Sequence, residues 1–170
     1  CVSNNDKILH ECLLKDLSAQ KGEYELIVVD NSMGKWKSAA SALNWGARNA
    51  KGDILMFVHQ DFEFGSSDWL AKCERFCDET ENLGAAGVAG KGEGKEIVSN
   101  ITDRWPVPKR VSRSDVKAVT KVQTLDECLI VIPRELFARF QFDEKTCDGW
   151  HLYAVDMSLT LLENGLGVFV

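Results

Sequence analysis

Two carboxylates stand where apolar runs end: Asp30 in "IVVDNS" and Asp61 in "LMFVHQDFEF", which occupies positions 55–64. If both runs are strands of one parallel sheet, their C-terminal ends share an edge and both acids can face a single crevice. A hard divalent cation takes carboxylate oxygens and keeps positions for phosphate oxygens, a task that suits Asp61. His59 or His151 would add an imidazole if the ion resembles manganese. Taken singly, each acid suits a turn or cap better than a site, since Asp is favoured there for its own hydrogen bonding, and it is their arrangement that points to a site. Other chemistries find no support. The glycine-rich "GAAGVAGKGEG" (84–94) lacks the phosphate-loop spacing and the helix that should follow it. There is no GxSxG elbow, and no Cys and His in a recognisable nucleophile signature.

The elements that would carry these residues alternate along the chain. Residues 6–19 place Ile8, Leu9, Cys12, Leu13 and Leu17 at helical spacing behind Asn5 or Asp6 as N-cap. "YELIVVD" (24–30) is an apolar strand, "SAASALNWGARNA" (38–50) a helix stopped by Gly52, and "DILMFV" the next strand. Residues 68–80 form an amphipathic helix and "AAGVAG" (85–90) a strand of small residues. "ECLIVIP" follows as a strand, then helices over 134–140 and 149–163. This order predicts an α/β fold with a mostly parallel sheet and helices on both faces.

Between 91 and 121 the periodicity fails. Gly92, Gly94, Pro106 and Pro108 interrupt it, and Arg104, Lys109, Arg110, Arg113, Lys117 and Lys121 make it basic. A solvated loop and a flexible cover over an anionic ligand both fit this composition.

The chain of 170 residues suits a single domain. "CVSNN" reads as the tail of a strand, and "GLGVFV" as the start of another, so residues 1–170 are expected to be one domain of a longer protein. The net charge of −6 argues against a nucleic-acid partner, which needs a basic footprint. No stretch approaches the roughly 18 apolar residues of a transmembrane span. Six cysteines without a CxxC pair point to a reducing cytoplasm, with peripheral attachment at the inner membrane face left open.

In order, "CVSNN", "ELIVVDNS", "SAASALNWGARNAKGDILMFVHQD", "DECLIVIPRELF", "FDE" and "HLYAVDMSLTLLENG" resemble the family 2 glycosyltransferases of the GT-A fold. The "FVHQD" and "HLYxVD" forms are similar to a bacterial glycosyltransferase-like branch. The resemblance covers nearly the whole chain. It implies a Rossmann-like domain that transfers sugar from a nucleoside-diphosphate sugar to a carbohydrate or other hydroxyl acceptor, with inversion and with Mn²⁺ or Mg²⁺.

Residue by residue, the resemblance implies that "HQD" takes the place of the family's DxD, so Asp61 binds the metal. His59 replaces a first acid beside the donor; His151 stays a candidate ligand on its imidazole chemistry alone. Asp30 faces the nucleoside, while Ser3 and Asn4 line the base pocket. Asn44 matches a family Asn, with Leu43 where an Arg often precedes it. Asp126 in "LDECL" resembles an acidic site near the acceptor, and fits a strand-start turn equally well. Trp150 and His151 open the helix that carries the family's base, and Trp150 suits either a sugar face or the core. The position matching that base is Ala154, which cannot titrate. Asp126 and Asp156 are the catalytic candidates, with Asp148 a further loop carboxylate that does not match the family base, and Ala154→Asp is expected to raise turnover. A sugar-nucleotide-binding or partner-binding module with weak or absent turnover is the alternative. A nucleotidyltransferase is a third reading, disfavoured because no Lys- or Arg-containing glycine-rich signature follows the first strand.

Overall fold

The computed structural model describes residues 1–94, 96–104, 107–112 and 116–170; Pro106 and Arg113 of the basic segment lie outside them. The chain opens with strand β1 (Val2–Ser3). A helical segment follows, with α turns α1 (Asp6–Leu9) and α2 (Lys15–Leu17) separated by a π turn over His10–Leu14. The Asn5 side chain caps it by accepting from the Ile8 amide. Strand β2 (Val29–Asp30) pairs in parallel with β1. Helix α3 (Ala39–Asn49) starts from the Ser38 cap and stops at the extended Ala50, two residues before Gly52. Strand β3 (Ile54–Val58), helix α4 (Trp69–Glu79) and strand β4 (Leu83–Gly87) follow. Beyond them lie β5 (Ala89–Lys91), β6 (Ile97–Ser99), β7 (Thr102–Asp103), β8 (Lys109–Arg110) and β9 (Thr124–Leu125). The chain continues through β10 (Leu129–Pro133), α5 (Arg134–Arg139), α6 (Tyr153–Glu163) and β11 (Gly167–Phe169).

The central sheet has the order β11-β4-β10-β3 and is mixed, which corrects the expectation of a mostly parallel one. Strand β10 lies between β3 and β4 and runs antiparallel to both. The connections explain why. Helix α4 joins β3 to β4 as a crossover, so those strands run the same way. Among the described residues no helix joins β4 to β10; that path runs through β5, whose antiparallel partners are β6 and β9, and it delivers β10 reversed. Helices α5 and α6 then return the chain to β11, parallel to β4.

Both faces of this sheet are covered, as expected. Period-two alternation divides the side chains of β10: Ile130 and Ile132 join Phe57, Phe137, Phe142, Tyr153 and Leu161 on one face. Leu129 and Val131 join Leu9, Leu13, Val58 and Phe64 on the other. Phe57, Phe137 and Phe142 stack within 4.9–5.1 Å of one another, and Phe142 meets Tyr153 edge-on at 5.1 Å. Asn44, 1% exposed, donates to the carbonyl of Phe142 at 2.9 Å and accepts from its amide at 3.1 Å. It is therefore a buried clamp between α3 and the segment leading to α6.

Three further expectations change. The strand over 24–30 shrinks to Val29–Asp30, which pairs with Val2–Ser3, and just before it the Ile27 carbonyl accepts from the Cys1 amino group at 3.1 Å. The small-residue strand divides into β4 and β5, and its glycines are explained by close packing. A Cβ at Gly87 would lie 2.8 Å from the Leu129 carbonyl oxygen. Finally, the described residues of the basic segment are organised rather than irregular. Antiparallel β7 and β8 pair, and Asn100 exchanges hydrogen bonds of 3.0 and 2.8 Å with the Val116 backbone. No helix of the described residues is long and apolar enough to cross a membrane.

Candidate functional site

The ends of β1, β2 and β3 meet through one side chain that the sequence reading passed over. Gln60 follows β3, and its Oε1 accepts from the Ser3 hydroxyl at 2.9 Å and from the Asn4 and Asn5 amides at 3.2 and 3.1 Å. Its Nε2 donates to Asn4 Oδ1 at 2.8 Å. Ser3 is buried and Asn4 exposed, so the clamp lies where the core opens to solvent. Asp30 pairs in register with Ser3 on the neighbouring strand. Its carboxylate accepts from the Ser32 amide at 2.8 Å, and that bond holds its pKa below the ordinary carboxylate value.

A second chain of contacts begins at His59. Its amide donates to the Cys128 carbonyl at 3.0 Å, which ties the end of β3 to the start of β10. Its Nε2 stands 3.5 Å from the Tyr153 hydroxyl, a long contact, and that hydroxyl donates to the Glu127 carbonyl at 3.2 Å. Burial, with Glu127 and Asp126 nearby, pushes the Tyr153 phenol well above its ordinary pKa, so it stays protonated. The Glu127 carboxylate meets His151 Nδ1 at 3.2 Å and accepts from the Leu152 amide. Ser3, Asn4, Asp30, His59 and His151 thus belong to two adjoining networks, joined at the His59–Gln60 peptide.

Asp61 is exposed in the turn after β3. Among the described residues, no group of three or more His, Cys, Asp and Glu side chains gathers to hold an ion. The donor set therefore fits a divalent ion only if it binds through one or two protein ligands with other oxygens completing the shell, as Mg²⁺ commonly does with phosphates.

Other expected residues lie apart. The Asp126 Oδ1 accepts from the Cys128 amide at 2.9 Å, so this acid closes its own turn, although it remains exposed. Helix α6 begins at Tyr153, not at 149, and Trp150 and His151 precede it. Its N-cap, Leu152, has φ 73°, a left-handed backbone that leucine rarely adopts. Trp150 is 40% exposed, which disfavours the core alternative. Ala154 is 1% exposed and packs in the main core, so the position matched to the base does not open onto the site. Asp156 is half-buried, and burial, with Asp143 and Glu163, raises its pKa. Glu127 escaped the sequence reading because Asp126, beside it, carried the family match. The one available signal was that neighbours in an extended segment face opposite ways.

The fold, with a mixed sheet covered on both faces, is similar to that of a GT-A glycosyltransferase. A solved structure described as GalNAc-T7 with UDP, GalNAc and Mn²⁺ matches with a TM-score of 0.57 and 17% identity, over 84% of this chain and 30% of that one. At that identity the likeness is one of fold, and this chain spans less than a third of its neighbour's length. The chain belongs to the glycosyltransferase-like family, whose profile matches residues 1–170. No curated protein gives a significant match.

Proposed function

We propose that this chain is a glycosyltransferase domain that transfers sugar from a nucleoside-diphosphate sugar to an acceptor hydroxyl, with inversion at the anomeric carbon, in the cytoplasm. The observation that carries this reading is the junction of β1, β2 and β3 through Gln60, with Asp30 and Asp61 at its margins, in a chain of this family. Ser3, Asn4 and Asp30 would receive the nucleoside, and Trp150 would offer a sugar-facing ring. Asp61 and His151 would hold Mn²⁺ or Mg²⁺. When bound, such an ion supplies Lewis-acid stabilisation of the departing diphosphate.

In the transfer, the acceptor oxygen forms the new bond to the anomeric carbon as the bond to the diphosphate oxygen breaks. The acceptor proton passes to a carboxylate. Asp126 at the mouth of β10 is exposed and suits that task; Asp156 would need to reach the acceptor from among Asp143 and Glu163. A binding module with weak turnover is the second reading. It is favoured by the burial of Ala154, which leaves the expected base position without a carboxylate or room for one.

Because the structural neighbour was solved with UDP, UDP-sugars are the first donors to test. Donor consumption is measured with and without Mn²⁺ and with a panel of carbohydrate acceptors. Acceptor-dependent release of UDP supports the transferase. Saturable binding without release supports the sugar-nucleotide-binding module, and no binding of any nucleotide sugar overturns both the transferase and that module, leaving a partner-binding module.

A further inference from the structure

Glu127 is set inward and His151 outward: their side chains are 18% and 86% exposed. The backbone of Glu127 is fixed on two sides. Its carbonyl accepts from the buried Tyr153 hydroxyl, and the next residue, Cys128, accepts from the His59 amide. The carboxylate is thus anchored by the core while its two oxygens take different loads. Oε1 receives the Leu152 amide and Oε2 meets the His151 ring at Nδ1.

Leu152 is the odd residue here. A leucine at φ 73° needs a reason, and its side chain is 64% exposed, so packing does not supply one. The hydrogen bond to Glu127 does. A left-handed residue between His151 and α6 lets one carboxylate hold both the ring and the adjacent backbone. Backbone outliers of this kind are retained where surrounding structure fixes them, and their position points toward function.

We infer that Glu127 is a positioning residue that keeps the His151 proton on Nδ1 and presents Nε2, unprotonated and facing solvent, as a ligand for a divalent ion bound with a nucleoside diphosphate. This rests on the donor-binding reading above. Carboxylates that bind the remote nitrogen of an imidazole fix its tautomer and orientation and strengthen it as a ligand, and removing them costs about 10- to 100-fold in metal affinity.

The test uses Glu127→Gln, because a glutamine Oε1 can still accept from the Leu152 amide and so preserve the cap. Ring ¹⁵N–¹H correlation spectra of the three histidines, assigned with His151→Gln, report where the neutral His151 ring carries its proton. The expected result is an Nδ1–H ring in the native chain and a shift toward Nε2–H in Glu127→Gln. Mn²⁺ binding in the presence of UDP should weaken by at least about 10-fold in Glu127→Gln. His151→Ala added to that variant should cause little further loss, since the two act as a unit.

A native ring protonated on Nε2 overturns the proposal, whether or not any variant folds. So does unchanged Mn²⁺–UDP affinity in Glu127→Gln, or losses that multiply when the substitutions are combined. If the native chain binds no UDP with Mn²⁺, the donor-binding reading and the ligand role of Nε2 both fail. An Nδ1–H ring that changes in Glu127→Gln would then leave Glu127 as an orienting group for His151 alone.

Discussion

Gln60 receives the hydroxyl of Ser3 at 2.9 Å, joining residues 57 positions apart. Strands β1 and β3 do not share a ladder, since they belong to separate sheets. The amide side chain supplies the polar connection that the backbones lack. It explains why a buried strand gives way to His59-Gln60-Asp61: the middle residue turns back to hold the neighbouring strand end, and the outer two remain at the rim.

Replacing Gln60 with Ala removes the acceptor for three donors, one of them the buried Ser3 hydroxyl. The expected loss of folding stability is about 1–3 kcal/mol, measured by urea denaturation. Gln60→Glu should lie within about 1 kcal/mol of the native chain, because a carboxylate accepts from the same donors and Asn4 can turn its amide to donate. Equal losses in both variants would show that the acceptor is not what matters.

Metal and nucleotide should bind together. With no gathered three-ligand cluster among the described residues, Mn²⁺ alone is expected to bind weakly, and to bind more tightly once UDP supplies phosphate oxygens. Asp61→Ala should abolish most of that coupling while leaving folding within about 0.5 kcal/mol, since the residue is exposed. Titration of Mn²⁺ with and without UDP gives the coupling directly. Equal affinities in Asp61→Ala and the native chain would remove Asp61 from the site.

The parts of this molecule that could be read from sequence are those written in side-chain period. The apolar run before His59 gave β3, and Ser38 marked the start of α3. The direction of β10 was not readable, because a strand buried on both faces shows the same apolar run whichever way it lies. Nor was the start of α6, since its left-handed cap is a leucine rather than the Gly or Asn that would signal one. Gln60 and Glu127 share another difficulty. Each lies beside a residue of more familiar chemistry, and only tertiary contacts reveal which neighbour turns inward.

Position 154 offers a direct contrast between resemblance and packing. The resemblance leads to higher turnover for Ala154→Asp. The structure leads to the opposite result, because the side chain would enter the core beside Tyr153 and Met157 without a partner. A buried unpaired carboxylate should cost at least about 3 kcal/mol, through desolvation or through the work of keeping it protonated. Thermal unfolding and turnover measured on the same samples decide between them. Native stability with faster transfer would show that position 154 opens onto the site.

Asp156 gives a prediction in pH. Burial raises its pKa first, and the charges of Asp143 and Glu163 add to the effect. Asp143 is itself held below the usual carboxylate range, by Thr146 first and then Lys145, so it stays charged while Asp156 titrates. A carboxyl whose folded pKa exceeds its unfolded value binds protons more tightly when folded. Its contribution to stability therefore falls as pH rises through the acidic range, and the ionised group is a cost at neutral pH. Asp156→Asn removes that cost. The variant should unfold at a higher temperature than the native chain at pH 7, and the gap should close as pH falls below about 4, where the native carboxyl is protonated in both states. Activity separates the two catalytic candidates on the same protein. If Asp156 takes the acceptor proton, the stabilised variant should lose about 10²- to 10⁴-fold in transfer rate with donor affinity intact. If Asp126 does so, Asp156→Asn should retain transfer and Asp126→Asn should lose it.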